Sequence, residues 1–176
     1  MSSRRRFLQT LGGAFAVGAV APARVLASPG EERRLSFLHT HTRETLTVPY
    51  FADGQYLAAG LSRLDAFLRD HRTGEQHPID PALFDILNDL RLATGAKAPF
   101  QVISAYRSPR TNETLRRGGG VASRSLHLEG RAIDVRLSDV RTSTLRDAAL
   151  ELARGGVGYY RASDFVHVDT GRIRRW

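Results

Sequence analysis

The sequence predicts a single α+β domain, a small antiparallel sheet flanked by helices, and three observations carry that reading. Its 176 residues, 41% hydrophobic and 25% charged, match an ordinary globular balance and suffice for one packed core. Period-two alternation and helical spacing fall in separate blocks, without the regular βαβ alternation that builds a parallel sheet. There is no cysteine, so neither disulfides nor thiolate clusters replace a hydrophobic core, and any metal must be held by histidine and carboxylate.

In chain order, Leu35 to Tyr50 alternates and is rich in Thr, Val and Leu, with a break near Thr42 and Arg43. This is a β-hairpin, ended by Pro49 and Asp53-Gly54. Leu57, Leu61, Leu64 and Leu68 recur at helical spacing with charged residues between them, an amphipathic helix. A polar loop from His71 to Pro78 precedes a second helix, capped by Asp80, opened by Pro81, striped by Leu83, Leu87 and Leu90, and stopped by Gly95. Phe100 to Ala105 reads as a buried strand that delivers Tyr106-Arg107-Ser108-Pro109 at its end. A short helix through Glu113 to Arg117 leads into Gly118-Gly119-Gly120. Ala132 to Leu137 is a strand, and Leu145, Ala149 and Leu152 mark a helix ended by Gly155-Gly156. Two last strands, near Val157 to Tyr160 and Phe165 to Asp169, are joined by a turn containing Ser163 and Asp164.

The formal charge of +8 needs dividing before it is interpreted. Residues 1–27 carry Arg4, Arg5, Arg6 and Arg24 and no acidic residue, so without them the charge is 8 − 4 = +4. Ser3-Arg4-Arg5-Arg6-Phe7-Leu8-Gln9 resembles a twin-arginine export signal, Leu11 to Ala21 is a weakly apolar run, and Val25-Leu26-Ala27 offers a cleavage site. The run is shorter than the roughly 20 residues a membrane span needs. The expectation is a removed leader at 1–27, a flexible mature N-terminus at 28–34, a domain at 35–176 with no integral membrane span, and a periplasmic location. The lower charge and the lack of an aromatic-basic interleaved stretch argue against a nucleic-acid partner.

The densest chemical signal is Ser125-Leu126-His127-Leu128-Glu129-Gly130-Arg131-Ala132-Ile133-Asp134. A loop histidine is followed by a glycine able to turn the chain and, seven positions on, by a carboxylate in a strand. Further along, Val166-His167-Val168-Asp169 places His167 and Asp169 on one strand face and the valines on the other. Two neutral imidazoles and one carboxylate are the ligand set of an open catalytic zinc site, with a fourth position left for water. The same residues also admit a metal-free arrangement, with His127 on the surface and Asp134 and His167 as a buried hydrogen-bonded pair.

The pattern Ser-x-His-x-x-Gly-x-Ala-x-Asp, followed by a strand carrying histidine, resembles the zinc signature of the D-alanyl-D-alanine metallopeptidases, which include the VanX-type dipeptidases. Thr40-His41-Thr42, Ser104-Ala105-Tyr106-Arg107-Ser108 and Phe165-Val166-His167-Val168-Asp169-Thr170-Gly171 bring it closer to the murein endopeptidase K group, over nearly all of residues 35–176. That resemblance implies the Hedgehog/D-Ala-D-Ala peptidase fold and makes His127, Asp134 and His167 the zinc ligands. It makes Arg107 the cation facing the scissile carbonyl, with Tyr106 and Ser125 beside the substrate. In the dipeptidase branch a glutamate three residues before the last zinc histidine is the general base, a position held here by the shorter Asp164; Asp169 is the competing candidate, or a group that orients His167. Glu129 reads as an exposed loop residue. His39 and His41 read as ordinary strand residues, not a second metal site, His71 and His77 as loop residues without a role, and Arg172 to Trp176 as a solvated strand end.

The function implied is zinc-dependent hydrolysis of peptidoglycan stem-peptide cross-links. The competing readings are a D,D- or L,D-carboxypeptidase or dipeptidase on the same peptides, and a non-catalytic wall-binding module that keeps zinc for structure alone.

Overall fold

The computed structural model describes residues 32–119 and 124–176; the expected leader and Gly120 lie outside the described residues. Among the described residues eight strands and four helices follow in the order β1 (Arg33–His39), β2 (Thr45–Ala52), β3 (Gln55–Tyr56), α1 (Ala58–Phe67), α2 (Pro81–Thr94), β4 (Phe100–Ser104), α3 (Pro109–Arg117), β5 (Ala132–Arg136), α4 (Thr142–Leu152), β6 (Gly156–Tyr160), β7 (Phe165–Asp169) and β8 (Arg174–Arg175). Short 3-10 turns occupy Leu126–Glu129 and Arg161–Ser163. The α+β class holds, but the sheet is larger than expected and mixed, with strand order β3-β2-β1-β4-β5-β7-β6-β8. β1 pairs parallel with β4, and β6 parallel with β8. The first parallel pair follows from topology, since α1 and α2 form the long crossover that returns the chain alongside β1.

Local chemistry explains the element ends. Asp80 Oδ1 accepts the Ala82 N–H at 3.0 Å, Pro81 opens α2, and Gly95 closes it in the left-handed region at φ 68°. Ser108 Oγ accepts the Thr111 N–H at 3.2 Å and Pro109 opens α3 in the same manner. Pro49 does not end the hairpin: β2 runs on to Ala52. It sits opposite the register shift at Arg33/Arg34 and outside the short pairing with β3, where a residue without an N–H is tolerated. α4 stops at Ala153, not at the two glycines that follow.

One face of the sheet is apolar. Leu35, Phe37, Val48, Val102, Ile133, Val135, Val166 and Val168 join Leu83, Phe84, Leu87 and Leu90 of α2 and Leu145 and Ala149 of α4 in one buried cluster. Between Val102 and Ser104 the register with β5 shifts, so that Val102 pairs with Val135 while Ser104 pairs with Asp134. This irregularity turns the end of β4 toward the polar face. There Gly158, His167, Asp134 and Ser104 form one row across four strands.

α1 is held against β2 by close approach at Gly60, where a Cβ would stand 2.1 Å from the Pro49 carbonyl oxygen. Gly60→Ala is therefore expected to destabilise the fold by about 1–3 kcal/mol through overpacking. Chemical denaturation checks this, and an unchanged midpoint would mean that α1 moves off β2 without penalty.

Candidate metal centre

Three elements converge on the polar face. The turn Leu126–Glu129 ends at Gly130 with φ 64°, and a Cβ there would lie 2.3 Å from the Pro78 carbonyl oxygen, so the bend that follows His127 requires glycine. β5 carries Asp134 and β7 carries His167, paired directly across the two strands. All three residues are buried, and one ligand atom from each lies within 4.8 Å of the others. His127 Nε2 is 3.2 Å from His167 Nδ1 and 3.3 Å from Asp134 Oδ1, and His167 Nδ1 is 2.9 Å from the same oxygen.

The outer partners fix the protons. His127 Nδ1 is 2.6 Å from the Ala105 carbonyl oxygen, which only accepts, so Nδ1 carries the proton and donates. His167 Nε2 is 2.9 Å from Asp169 Oδ2, again an acceptor, and donates there. The inner nitrogens and Asp134 Oδ1 then turn toward one another, an arrangement that a cation resolves, either a proton on His167 Nδ1 or a metal ion. The edges of a tetrahedron around an ion with ligand distances of about 2.0–2.1 Å measure roughly 3.3 Å, close to the spacings found. The donor set fits a metal ion.

Electrostatics agree. Burial would raise the Asp134 carboxyl, but His127 and His167 hold it far below the usual carboxylate range. Burial pushes His127 down and keeps it neutral. Burial acts the same way on His167, yet the hydrogen bonds and charges of Asp134 and Asp169 prevail and its pKa is raised. Without an ion His167 is thus the group that takes the balancing proton.

Surrounding residues hold this geometry. Arg107 Nη2 donates to Asp134 Oδ2 and Nε to Ser104 Oγ, both at 2.9 Å, and the Arg107 backbone N–H donates to the His127 carbonyl oxygen at 3.1 Å. Asp70, which the sequence reading passed over, is buried and accepts the backbone N–H groups of Ser108 and Arg72, each at 2.9 Å, anchoring the segment after Arg107. Burial opposes its ionisation, but these bonds and that of Thr111 bring its pKa down to about 2.

Asp169 has no exposed surface. It accepts from Gly156 N–H, Gly171 N–H, both terminal nitrogens of Arg174, and His167. A Cβ on Gly156 would stand 2.5 Å from Asp169 Oδ2, and one on Gly155 still closer to the Asp169 carbonyl oxygen, which is why glycine occupies both the position before β6 and its first residue. With its lone pairs so committed, Asp169 orients His167.

Asp164 stands elsewhere. As the left-handed cap of the Arg161–Ser163 turn, at φ 52°, its side chain is turned toward Thr142, whose hydroxyl donates to it, and toward Arg136 at 3.6 Å. Its side chain is 63% exposed and lines a groove with Gln101 and Arg141 that shares no residue with the cavity over His127, Asp134 and His167. Tyr106 is also not in that cavity; it is buried and stacks on His77 at 4.9 Å, which gives that loop histidine a packing role. Ser125 does line the cavity, and Glu129 is exposed and pairs with Arg131.

The cavity, of about 730 Å3, is lined by Arg72, Arg107, Arg124 and Arg174 against a single carboxylate, Asp134. His41 reaches its wall and stacks on His71 at 4.2 Å, while His39 is buried and its Nδ1 accepts the His41 and Thr42 N–H groups of the hairpin turn. Among the described residues these three do not form a second group able to hold a metal. The C-terminal segment is not a solvated end: Arg174 binds Asp169, and Trp176 lies on the cavity wall. Only side chains brought in by β8 revealed this, and a lone terminal tryptophan was the sole sequence signal.

An α+β fold with a buried His–Asp–His cluster in a cationic cleft is that of an M15-type metallopeptidase. The family profile for peptidoglycan L,D-endopeptidase MepK matches residues 27–176. The peptidoglycan L,D-endopeptidase MepK of Escherichia coli (strain K12) is 41% identical over 177 residues, covering 99% of this chain and 97% of the relative. The Shigella flexneri protein of the same name matches to the same extent, and the probable peptidoglycan L,D-endopeptidase MepK of Haemophilus influenzae is 38% identical over 178 residues, covering 99% and 95%. The chain belongs to the MepK family of peptidoglycan L,D-endopeptidases.

His127→Ala and His167→Ala are each expected to abolish stoichiometric metal binding, whereas the double variant His39→Ala/His41→Ala keeps it, as read by elemental analysis of dialysed protein. Because the raised pKa of His167 makes a proton compete for Nδ1, loading should fall as pH drops, beginning above the ordinary imidazole value of about 6.5. Full loading of the His167→Ala protein would overturn this ligand set.

Proposed function

We propose that this chain is a zinc-dependent endopeptidase that hydrolyses stem-peptide cross-links of peptidoglycan, with His127, Asp134 and His167 as ligands. The observation that carries the reading is the trio of buried ligand atoms, all within 4.8 Å of one another, on the wall of an arginine-lined cavity. Zinc suits two imidazoles and a carboxylate with no thiolate, and when bound it supplies Lewis acidity and lowers the pKa of water. The names of the relatives favour an L,D bond, in a cross-link made through a diamino acid, over the D,D- or carboxypeptidase alternatives, since both carry the name L,D-endopeptidase. The cleft favours catalysis over structural zinc alone, since a purely structural site has no use for a solvent cavity on its open side.

The chain's own residues divide the work. Asp169 holds His167 with Nδ1 directed inward, and the Ala105 carbonyl does the same for Nε2 of His127. Arg107, fixed by Ser104 and Asp134, places a guanidinium where negative charge develops on the scissile carbonyl oxygen. Arg72 and Arg124 extend the positive potential toward the free carboxylates of the wall peptide, and Ser125 offers a hydroxyl beside them. Proton acceptance by Asp164 or Asp169 finds no support in this geometry, since one stands in another groove and the other is committed to five N–H donors. Relationship to peptidoglycan enzymes points to the cell envelope; the Arg4-Arg5 pattern supports a periplasmic location reached by twin-arginine export.

Digestion of purified sacculi by the zinc-loaded protein, followed by chromatography of the muropeptides, tests this reading. Cross-linked dimers should become monomers, and chelation should stop the conversion. Loss of only a terminal alanine would replace it with a carboxypeptidase, and no release of any kind would leave a binding module. Arg107→Lys should retain zinc while kcat falls on the order of a hundredfold, because an ammonium does not reproduce the guanidinium fork. Near-normal turnover would remove Arg107 from the chemistry.

A further inference from the structure

Trp176 is the only tryptophan of the chain. Its backbone extends β8 along β6, with its N–H donating to the Val157 carbonyl and its carbonyl accepting the Tyr159 N–H. The indole lies over Gly158, where a Cβ would come within 2.6 Å of Cε2. It stands 5.1 Å, centroid to centroid, from the ring of His167, and its Nε1–H donates to the Tyr160 hydroxyl at 3.0 Å. Arg174, whose guanidinium sits 4.9 Å from the ring centre, also grips Asp169. The ring is therefore tied to the scaffold of a metal ligand on several sides, yet half of Trp176 remains exposed, in the cavity.

Strand pairing alone does not require this. The two backbone bonds of residue 176 are independent of its side chain, while the indole excludes every residue but glycine from position 158. Tyr160 and Phe165, stacked at 4.5 Å, continue the wall beside it. The cavity is thus lined by the rings of Tyr160, Phe165 and Trp176, with Arg174 against the indole, and by the guanidinium groups of Arg72, Arg107 and Arg124. A diamino acid residue has matching parts: methylenes that pack on an aromatic face, an amino group attracted to its π cloud, and a carboxylate for arginine.

We propose that Trp176 is a substrate-binding residue whose indole receives the methylene side chain of the diamino acid at the cross-link while the scissile carbonyl meets Arg107 and the metal centre. This rests on the function proposed above and adds the recognition of the side chain flanking the scissile bond. Gly158 is the seat that keeps the indole flat against β6.

The single tryptophan makes the test direct. Zinc-loaded protein is mixed with cross-linked muropeptide dimer in a stopped-flow instrument and the indole emission is followed. A saturable change that precedes product formation is expected. In steady state, Trp176→Ala should raise KM on the order of tenfold with kcat within about threefold, zinc content unchanged, and Trp176→Phe should recover most of the loss. Gly158→Ala, by displacing the ring, should raise KM in the same direction. Wild-type protein that opens the dimer with silent emission, or Trp176→Ala with unchanged KM, would overturn the proposal. Wild-type protein that leaves the dimer intact would instead overturn the endopeptidase reading.

Discussion

A carboxylate buried in the middle of a sheet is the constraint to which the rest of this structure answers. Asp134 is 4% exposed and ionised, and a lone charge in that position is not tolerated without compensation. Arg107 supplies one bond on Oδ2, and Oδ1 is left for the imidazoles and the ion that fits between them. Removing any partner leaves charge uncompensated in a low dielectric, so the ligands, Arg107 and Ser104 form one cooperative unit. The register shift in β4 belongs to this unit, since without it Ser104 would share the apolar face of Val102 and would not reach Arg107.

The second-layer group, Asp169, couples the centre to the end of the chain. It fixes His167, receives two backbone N–H groups, and is clamped by Arg174, which places β8 beside β6. The orientation of a metal ligand thus depends on residues within the last few positions of the sequence. Gly155 and Gly156 belong to the same arrangement, as the space they leave is filled by Asp169.

Much of this was legible from local pattern. The hairpin turn and the Asp80-Pro81 start and Gly95 stop of α2 depend on neighbours within a few residues and stand where the sequence put them, although β2 runs past Pro49 to Ala52. The meeting of His127 and Asp134 was legible because the Ser-x-His-x-x-Gly-x-Ala-x-Asp spacing encodes a turn entering a strand. What escaped depends on contacts distant in sequence. The parallel pairing of β1 with β4 is set by how the α1–α2 crossover packs. Tyr106 leaves the cavity for His77, 29 positions earlier, and Asp164 follows the left-handed cap of its turn to Thr142 and Arg136, a direction that strand parity does not contain. His41 read as a strand residue and His71 as a loop residue until the fold stacked them at the cavity wall, and Asp70 carried no signal until the fold set it to anchor Ser108.

In the proposed function, the groups around the centre set the direction in which a peptide enters. Along the row Gly158, His167, Asp134, Ser104, the indole of Trp176 lies over Gly158 beside His167 at one end, and Arg107 is bonded to Ser104 and Asp134 at the other. Ligands in such a row bind a carbonyl without regard to which side its neighbours lie on; the unlike ends of the row remove that ambiguity. Arg107 sits at the junction, bonded to a metal ligand on one edge and lining the cleft. In the proposed mechanism its position would tie the charge that orients substrate to the charge that stabilises the developing oxyanion, so that orientation and chemistry share one rigid group.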